Sequence, residues 1–202
     1  MNMRVVAAAL AALALSAGCL HTGKPSGPPP DQTVARPPAE SPVEAQALAA
    51  FERQLKEYVE LHERLEKTLP PLPKETNPQI IDKHQRTLAP LIAEHRKTAK
   101  RGDLFTPGGE RLIRERLAAV FSGPTGGTIK STIMDENPVT VKLAVNGRYP
   151  DEVPLSTMPP QVLAVLPKLP SDLEYRFIGP RLILLDVHAH TVADYIESVL
   201  PK

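Results

Sequence analysis

Twenty-three prolines divide the 202-residue chain, and their positions decide where regular structure can run. Each proline fixes φ, removes an N–H donor and disfavours helix at the residue before it, so a cluster of them is a boundary. One dense group lies between Pro25 and Pro38, a second at Pro70, Pro71 and Pro73, and later ones punctuate Pro138 to Pro180. The long proline-free stretch between the first two groups is where an uninterrupted helix is expected. The composition permits a core, with 42% hydrophobic residues, but only 4% are aromatic and there is no Trp. A single cysteine excludes an internal disulfide.

Residues 42–122 read as a helical segment. Ser41-Pro42-Val43-Glu44 is a capping box with proline at the first helical position. Leu48, Phe51, Leu55, Tyr58, His62, Leu65 and Leu69 recur at alternating spacings of three and four, one continuous helical face. Glu52/Lys56, Glu60/Arg64 and Glu63/Lys67 support the opposite face, acid first. Asn77-Pro78 begins a second helix, with Ile81, His84, Leu88, Leu91, Ile92, His95 and Ala99 on its face, a kink expected at Pro90 and Gly102 expected as its C-cap. These two form an antiparallel hairpin. Thr106-Pro107 begins a third helix with the stripe Leu112, Ile113, Leu117, Val120 and Phe121, and Ile129 to Met134 adds one or two further turns.

Residues 123–202 read as the β-rich part of the same domain. Val139, Val141, Leu143 and Val145 alternate with smaller or polar residues, the pattern of a half-buried strand. A short helical piece is expected from Pro159 to Leu166. Leu173–Ile178 and Arg181–Asp186 flank Gly179-Pro180 as a hairpin, and the run Leu182–Leu185 implies a strand covered on both faces. Val192, Ile196 and Val199 favour a terminal helix over a third strand. The expected class is α+β: a helical hairpin and an additional helix packed with a small antiparallel sheet.

The N-terminus carries a targeting signal. Arg4 precedes an apolar run from Val5 to Leu15. At ~1.5 Å per residue this run spans about half a bilayer, which fits a signal peptide over residues 1–18 and not a transmembrane helix. Leu15-Ser16-Ala17-Gly18-Cys19 resembles the bacterial lipobox, which implies lipid transfer to the Cys19 sulfur, cleavage before it and acylation of the new terminus. Leu stands one place further from Cys19 than is usual, with Ser16 in the favoured position. Leu20 follows Cys19, and by analogy with enterobacterial sorting this implies the outer membrane. Residues 19–41 are expected to be a proline-rich disordered tether, reaching about 70 Å when extended.

The runs Pro154–Leu163, Leu166–Pro170, Leu173–Gly179 and Leu182–Asp186, with Phe105-Thr106-Pro107 and Glu136-Asn137-Pro138, resemble a family of bacterial exported proteins without an assigned activity. That resemblance implies a compartment and no mechanism. The hairpin is also similar to the small C-terminal module of RcnB-type periplasmic proteins, linked to nickel and cobalt homeostasis, but it carries over no ligand residue.

Three groups of residues are candidates for chemistry. Asp186, His188 and His190, at alternate positions, would share one face of an extended strand, where they can chelate a transition metal; the other readings are an exposed polar face beside buried Val187 and Ala189, or a turn. His62 and His84 lie symmetrically about the loop centre at residue 73 and should meet at one level of the helical seam, either as hydrogen-bonded seam residues or as a metal or pH-sensitive pair. Charging both rings in acid is expected to loosen that seam. Arg111, Arg114 and Arg116 with Lys100 and Arg101 form a basic patch suited to anionic headgroups. No nucleophile elbow, zinc-protease, phosphate-loop or dinucleotide motif occurs, so no cofactor and no enzymatic activity are expected. The formal net charge of +1 and the lack of interleaved aromatics argue against nucleic acid. The expected partners are membrane lipid, through Cys19, and an envelope protein. The expected role is structural or binding, with metal binding the alternative, and after it an enzyme of unrecognised type.

Overall fold

The computed structural model describes residues 41–136 and 141–201. The signal peptide, Cys19 and the tether up to residue 40 lie outside the described residues. Ser41 caps the first helix, α1 (Pro42–Glu66), and the capping box forms in both directions: Ser41 Oγ accepts from Glu44 N–H at 3.2 Å, and the Glu44 carboxylate accepts from Ser41 N–H at 2.7 Å. The buried stripe of α1 is Phe51, Leu55, Tyr58, His62 and Leu65. One histidine is thus carried into an otherwise apolar seam, where it requires polar partners.

Helix α2 (Pro78–His95) is capped by Asn77, whose side chain accepts from Ile80 N–H at 2.9 Å. It runs through Pro90 and stops at His95, so Gly102 is not its C-cap. Residues 96–105 instead make a series of turns in which Gly102 sits at φ +90°. Tertiary hydrogen bonds explain the early stop. Buried Asp194 accepts the N–H groups of Gly102, Leu104 and Phe105, and the Arg96 guanidinium donates to Asn146 Oδ1 and to Ala193 O. Those bonds use backbone groups and a side chain that another helical turn would hold elsewhere.

Helix α3 (Pro107–Phe121) starts at Thr106, whose hydroxyl accepts from Gly109 N–H. Helix α4 (Gly126–Glu136) follows at once and is longer than its sequence signal. At Gly126 a Cβ would collide with the main chain of Phe121, whereas at Gly127 it would meet nothing within 4 Å. Gly126→Ala is therefore expected to cost about 2 kcal/mol or more, and Gly127→Ala nothing or a slight gain. Paired thermal melts check this; equal midpoints would contradict it. A single turn, α5 (Pro160–Leu163), precedes the sheet.

The sheet is an antiparallel meander of β1 (Leu173–Ile178), β2 (Arg181–Asp186) and β3 (Thr191–Ile196), in that order. The class is α+β, with the helices packed against a small antiparallel sheet. One face of the sheet, with Leu173, Tyr175, Phe177, Leu182, Leu184 and Ile196, shares a core with Phe51, Leu55, Leu88, Ile113 and Leu117 of the helices. Ile178, Ile183, Leu185 and Val192 face a second cluster closed by Tyr149 and Val153. Strand β2 is buried on both sides, as its apolar run requires.

Two expectations fail here. The strand expected over 139–145 is not formed at 141–145, and positions 139 and 140 lie outside the described residues. Val141 and Leu143 pack on the second cluster, and backbone pairing with β3 starts later: Asn146 N–H donates to Val192 O, Val192 N–H to Gly147 O, and Tyr149 N–H to His190 O, each at 2.8 Å. The alternating residues form an irregular cover over the sheet. The second failure is the C-terminal helix, since residues 191–196 are strand β3. The spacing of Val192, Ile196 and Val199 does not mark one face, since Val192 lies in the second cluster and Ile196 and Val199 in the first, and a bulge opposite Leu184/Leu185 breaks the alternation of β3. Val192 pairs with Leu185 and Asp194 with Leu184, which leaves Ala193 as the extra residue. Val192 and Tyr195 then share one face, and Ala193 and Ile196 the other.

Candidate functional site

Tyr58, His62 and Glu66 stand at successive i+4 positions on α1, so they rise along one helical face. Asp186 ends β2, and residues 187–190 turn back before β3, which brings His188 over the C-terminal end of α1. Asp172 arrives just before β1 and is held there by the Val187 N–H bond to its carbonyl. Helix α2 supplies His84.

The centre of the arrangement is Asp186, whose side chain is fully buried. Its Oδ2 accepts the Tyr58 hydroxyl at 2.6 Å and lies 2.7 Å from His62 Nδ1; its Oδ1 accepts the N–H groups of His188 at 3.0 Å and Ala189 at 2.8 Å. An ionised carboxylate can only accept, so the His62 proton belongs on Nδ1, and the neutral ring keeps its lone pair on Nε2. That Nε2 is buried and has no hydrogen-bond partner among the described residues. Two carboxylate oxygens lie near it, Glu66 Oε2 at 3.4 Å and Asp172 Oδ1 at 3.9 Å.

Glu66 gathers His84 and His188. Its Oε1 lies 3.0 Å from His84 Nε2 and 3.1 Å from His188 Nδ1, and the His62 and His188 ring centres are 5.3 Å apart. Access is graded, from His62 at 0% exposed through Glu66 at 27% to His188 at 45%. The cluster is thus anchored in the core and open at one side.

The electrostatics follow from this layout. Burial pushes the Tyr58 hydroxyl well above its ordinary value and the Asp186 charge adds to it, so Tyr58 remains a donor. Burial alone would lower the His62 pKa, but the bond to Asp186, its charge, and the charges of Glu66 and Asp172 outweigh it and raise the ring above its ordinary value. Burial opposes ionisation of Glu66, yet the bonds from His84 and His188 hold its carboxyl below the usual range. The expected acid loosening is reversed for His62. A raised histidine pKa contributes stability that is present below the ordinary value and lost as pH rises through the raised one.

The metal face expected from Asp186, His188 and His190 does not exist. The strand ends at Asp186, and the turn, with His190 at φ +53°, carries His190 away from Asp186 and His188. His190 packs edge-on against Tyr149 at 5.4 Å, where burial, with Arg148 adding to it, lowers its pKa. His188 goes the other way, to Glu66 and His62. His62 and His84 do meet at one level, through Glu66, so two members of the first group, Asp186 and His188, join both members of the second. Glu66 and Asp172 were not among the candidates, and Tyr58 was read only as core. The 58, 62, 66 spacing was a usable signal; Asp172 had none. The basic patch is partly consumed within the fold: Arg114 binds Glu110 and the carbonyls of Glu197 and Ser198, and Arg116 donates to Val165 O. Cys19 lies outside the described residues.

Comparison with protein-family models, curated proteins and solved structures finds no match for the chain.

Proposed function

We propose that the protein is an exported lipoprotein, held to a membrane through acylated Cys19, whose folded domain is a non-catalytic binding module working at the Tyr58–Asp186–His62–Glu66 cluster. The observation that carries this reading is His62 Nε2: a buried nitrogen fixed in direction by Asp186, without a hydrogen-bond partner among the described residues, and placed at the inner end of an accessible group of donors. A buried polar atom without a partner is destabilising, so a bound species that satisfies it is favoured. An Asp–His pair also orients general bases, but no hydroxyl or thiol hydrogen-bonds to Nε2 among the described residues, which favours binding over activation of a nucleophile. The anchor rests on the sequence, where the apolar run ends at Leu15-Ser16-Ala17-Gly18-Cys19.

Two measurements test this. The Cys19→Ser form is expected to fold and to leave the membrane fraction; retention on washed membranes would contradict the anchor. Native mass spectrometry of protein extracted from its own membranes in mild detergent, without chelator, is expected to show a bound species beyond the lipid. The species should be absent from a Glu66→Gln/His188→Ala double variant. Identical spectra for the two would contradict the binding role.

A further inference from the structure

Resting on that binding reading, we infer that the cluster holds one divalent transition-metal ion, with His62 Nε2, His188 Nδ1 and the Glu66 carboxylate as its protein ligands. Each of the three offers one donor atom, and these atoms all lie within 4.8 Å of one another. Two of the separations are already short: Glu66 Oε2 lies 3.4 Å from His62 Nε2 and 3.2 Å from His188 Nδ1. Zinc bound at about 2.0–2.1 Å in a tetrahedral shell places its ligand atoms about 3.4 Å apart. Only the two imidazoles must therefore approach each other, and the His188 side chain, 45% exposed, can turn about its own bonds to do so.

The surroundings fit the same ion. Metal-bound imidazoles carry their other ring N–H to a carboxylate, which fixes the tautomer and raises basicity. Asp186 occupies that position on His62, and Tyr58 with two backbone N–H groups holds Asp186 in place. His84 lies against Glu66 Oε1 and can orient the carboxylate in the same way. Two neutral imidazoles and one carboxylate leave a divalent ion with one excess positive charge, and Asp172, 3.9 Å from Nε2, is the next anion. Mixed nitrogen and oxygen donors suit zinc and its transition-metal neighbours, whereas magnesium and calcium prefer oxygen alone. Three protein ligands leave one position of a tetrahedral ion open toward the exposed side.

Titration of the chelator-treated, full-length protein with zinc(II), followed by cobalt(II) absorption as a probe of tetrahedral geometry, tests the assignment. His62 is in the core and its replacement risks unfolding, so the informative variants are His188→Ala and Glu66→Gln, with His190→Ala as a control outside the cluster. One zinc per chain at micromolar affinity or tighter is expected, about 10- to 100-fold weaker in either cluster variant and unchanged in His190→Ala. Failure of the unmodified protein to bind zinc or cobalt, or undiminished binding in both cluster variants, would overturn the assignment. If it binds no metal but carries another cluster-dependent species from the membrane, the metal assignment fails and the binding role stands; if it carries none, both fail.

Discussion

Asp186→Ala is expected to destabilise the domain by about 4 kcal/mol, the largest effect of any single change considered. The carboxylate is buried and satisfies four groups at once: the Tyr58 hydroxyl, His62 Nδ1 and the N–H groups of His188 and Ala189. Truncation removes this partner from all four, and the Tyr58 and His62 side chains among them are buried. A buried donor left unsatisfied costs roughly 1–3 kcal/mol, and relaxation of the exposed turn recovers part of that. Asp186→Asn preserves the shape but turns an NH2 group toward two of the four donors, so most of the loss should remain. Denaturant titration measures this as a lower midpoint at unchanged slope. A loss below about 1 kcal/mol for Asp186→Ala would show that the carboxylate does not organise the cluster.

Asp194→Ala comes next, at about 3 kcal/mol. Its buried carboxylate accepts the N–H groups of Gly102, Leu104, Phe105 and Tyr195, and so fastens the turns after α2 to β3. Burial raises its pKa even against those four bonds, so the stabilisation comes from satisfying the loop and not from the charge itself. The consequence is local as well as global. Phe105 stacks on Phe51 at 5.7 Å, so release of this loop opens the core at the first half of α1. Hydrogen exchange should accelerate at residues 102–105 more than along β1, and a uniform change across the domain would contradict the loop-fastening role.

Both carboxylates end or interrupt strands whose sequence reads as apolar, and this marks what was legible in the chain and what was not. Helix starts were readable because their signals are local: the Ser41 capping box, Asn77 before Pro78, and Thr106 before Pro107 each act within three residues. The hairpin around Gly179-Pro180 was readable for the same reason. Helix α2 ended early because its competitor, Asp194, lies far away in sequence. The bulge at β3 broke the strict alternation that marks a strand, and Val192 and Ile196, four residues apart, lie on opposite faces. The candidate site was half legible. His62 stood out as a polar residue inside an apolar stripe, and its pairing with His84 followed from antiparallel geometry. The group on 186, 188 and 190 failed because alternation implies one face only while the strand continues, and here a turn begins after Asp186. Glu66 lay in plain view four residues beyond His62, but it resembled the many surface glutamates of α1.

His62 Nε2, held in place by Asp186, is the ligand on which the metal assignment turns. Anomalous diffraction at the zinc edge, from crystals of the zinc-loaded full-length protein, addresses it directly. A single peak is predicted at bonding distance, about 2.0–2.2 Å, from His62 Nε2, His188 Nδ1 and a Glu66 oxygen, with Asp186 still on His62 Nδ1. A zinc-loaded crystal in which His62 Nε2 is unligated, with the ion bound by other side chains, would contradict it.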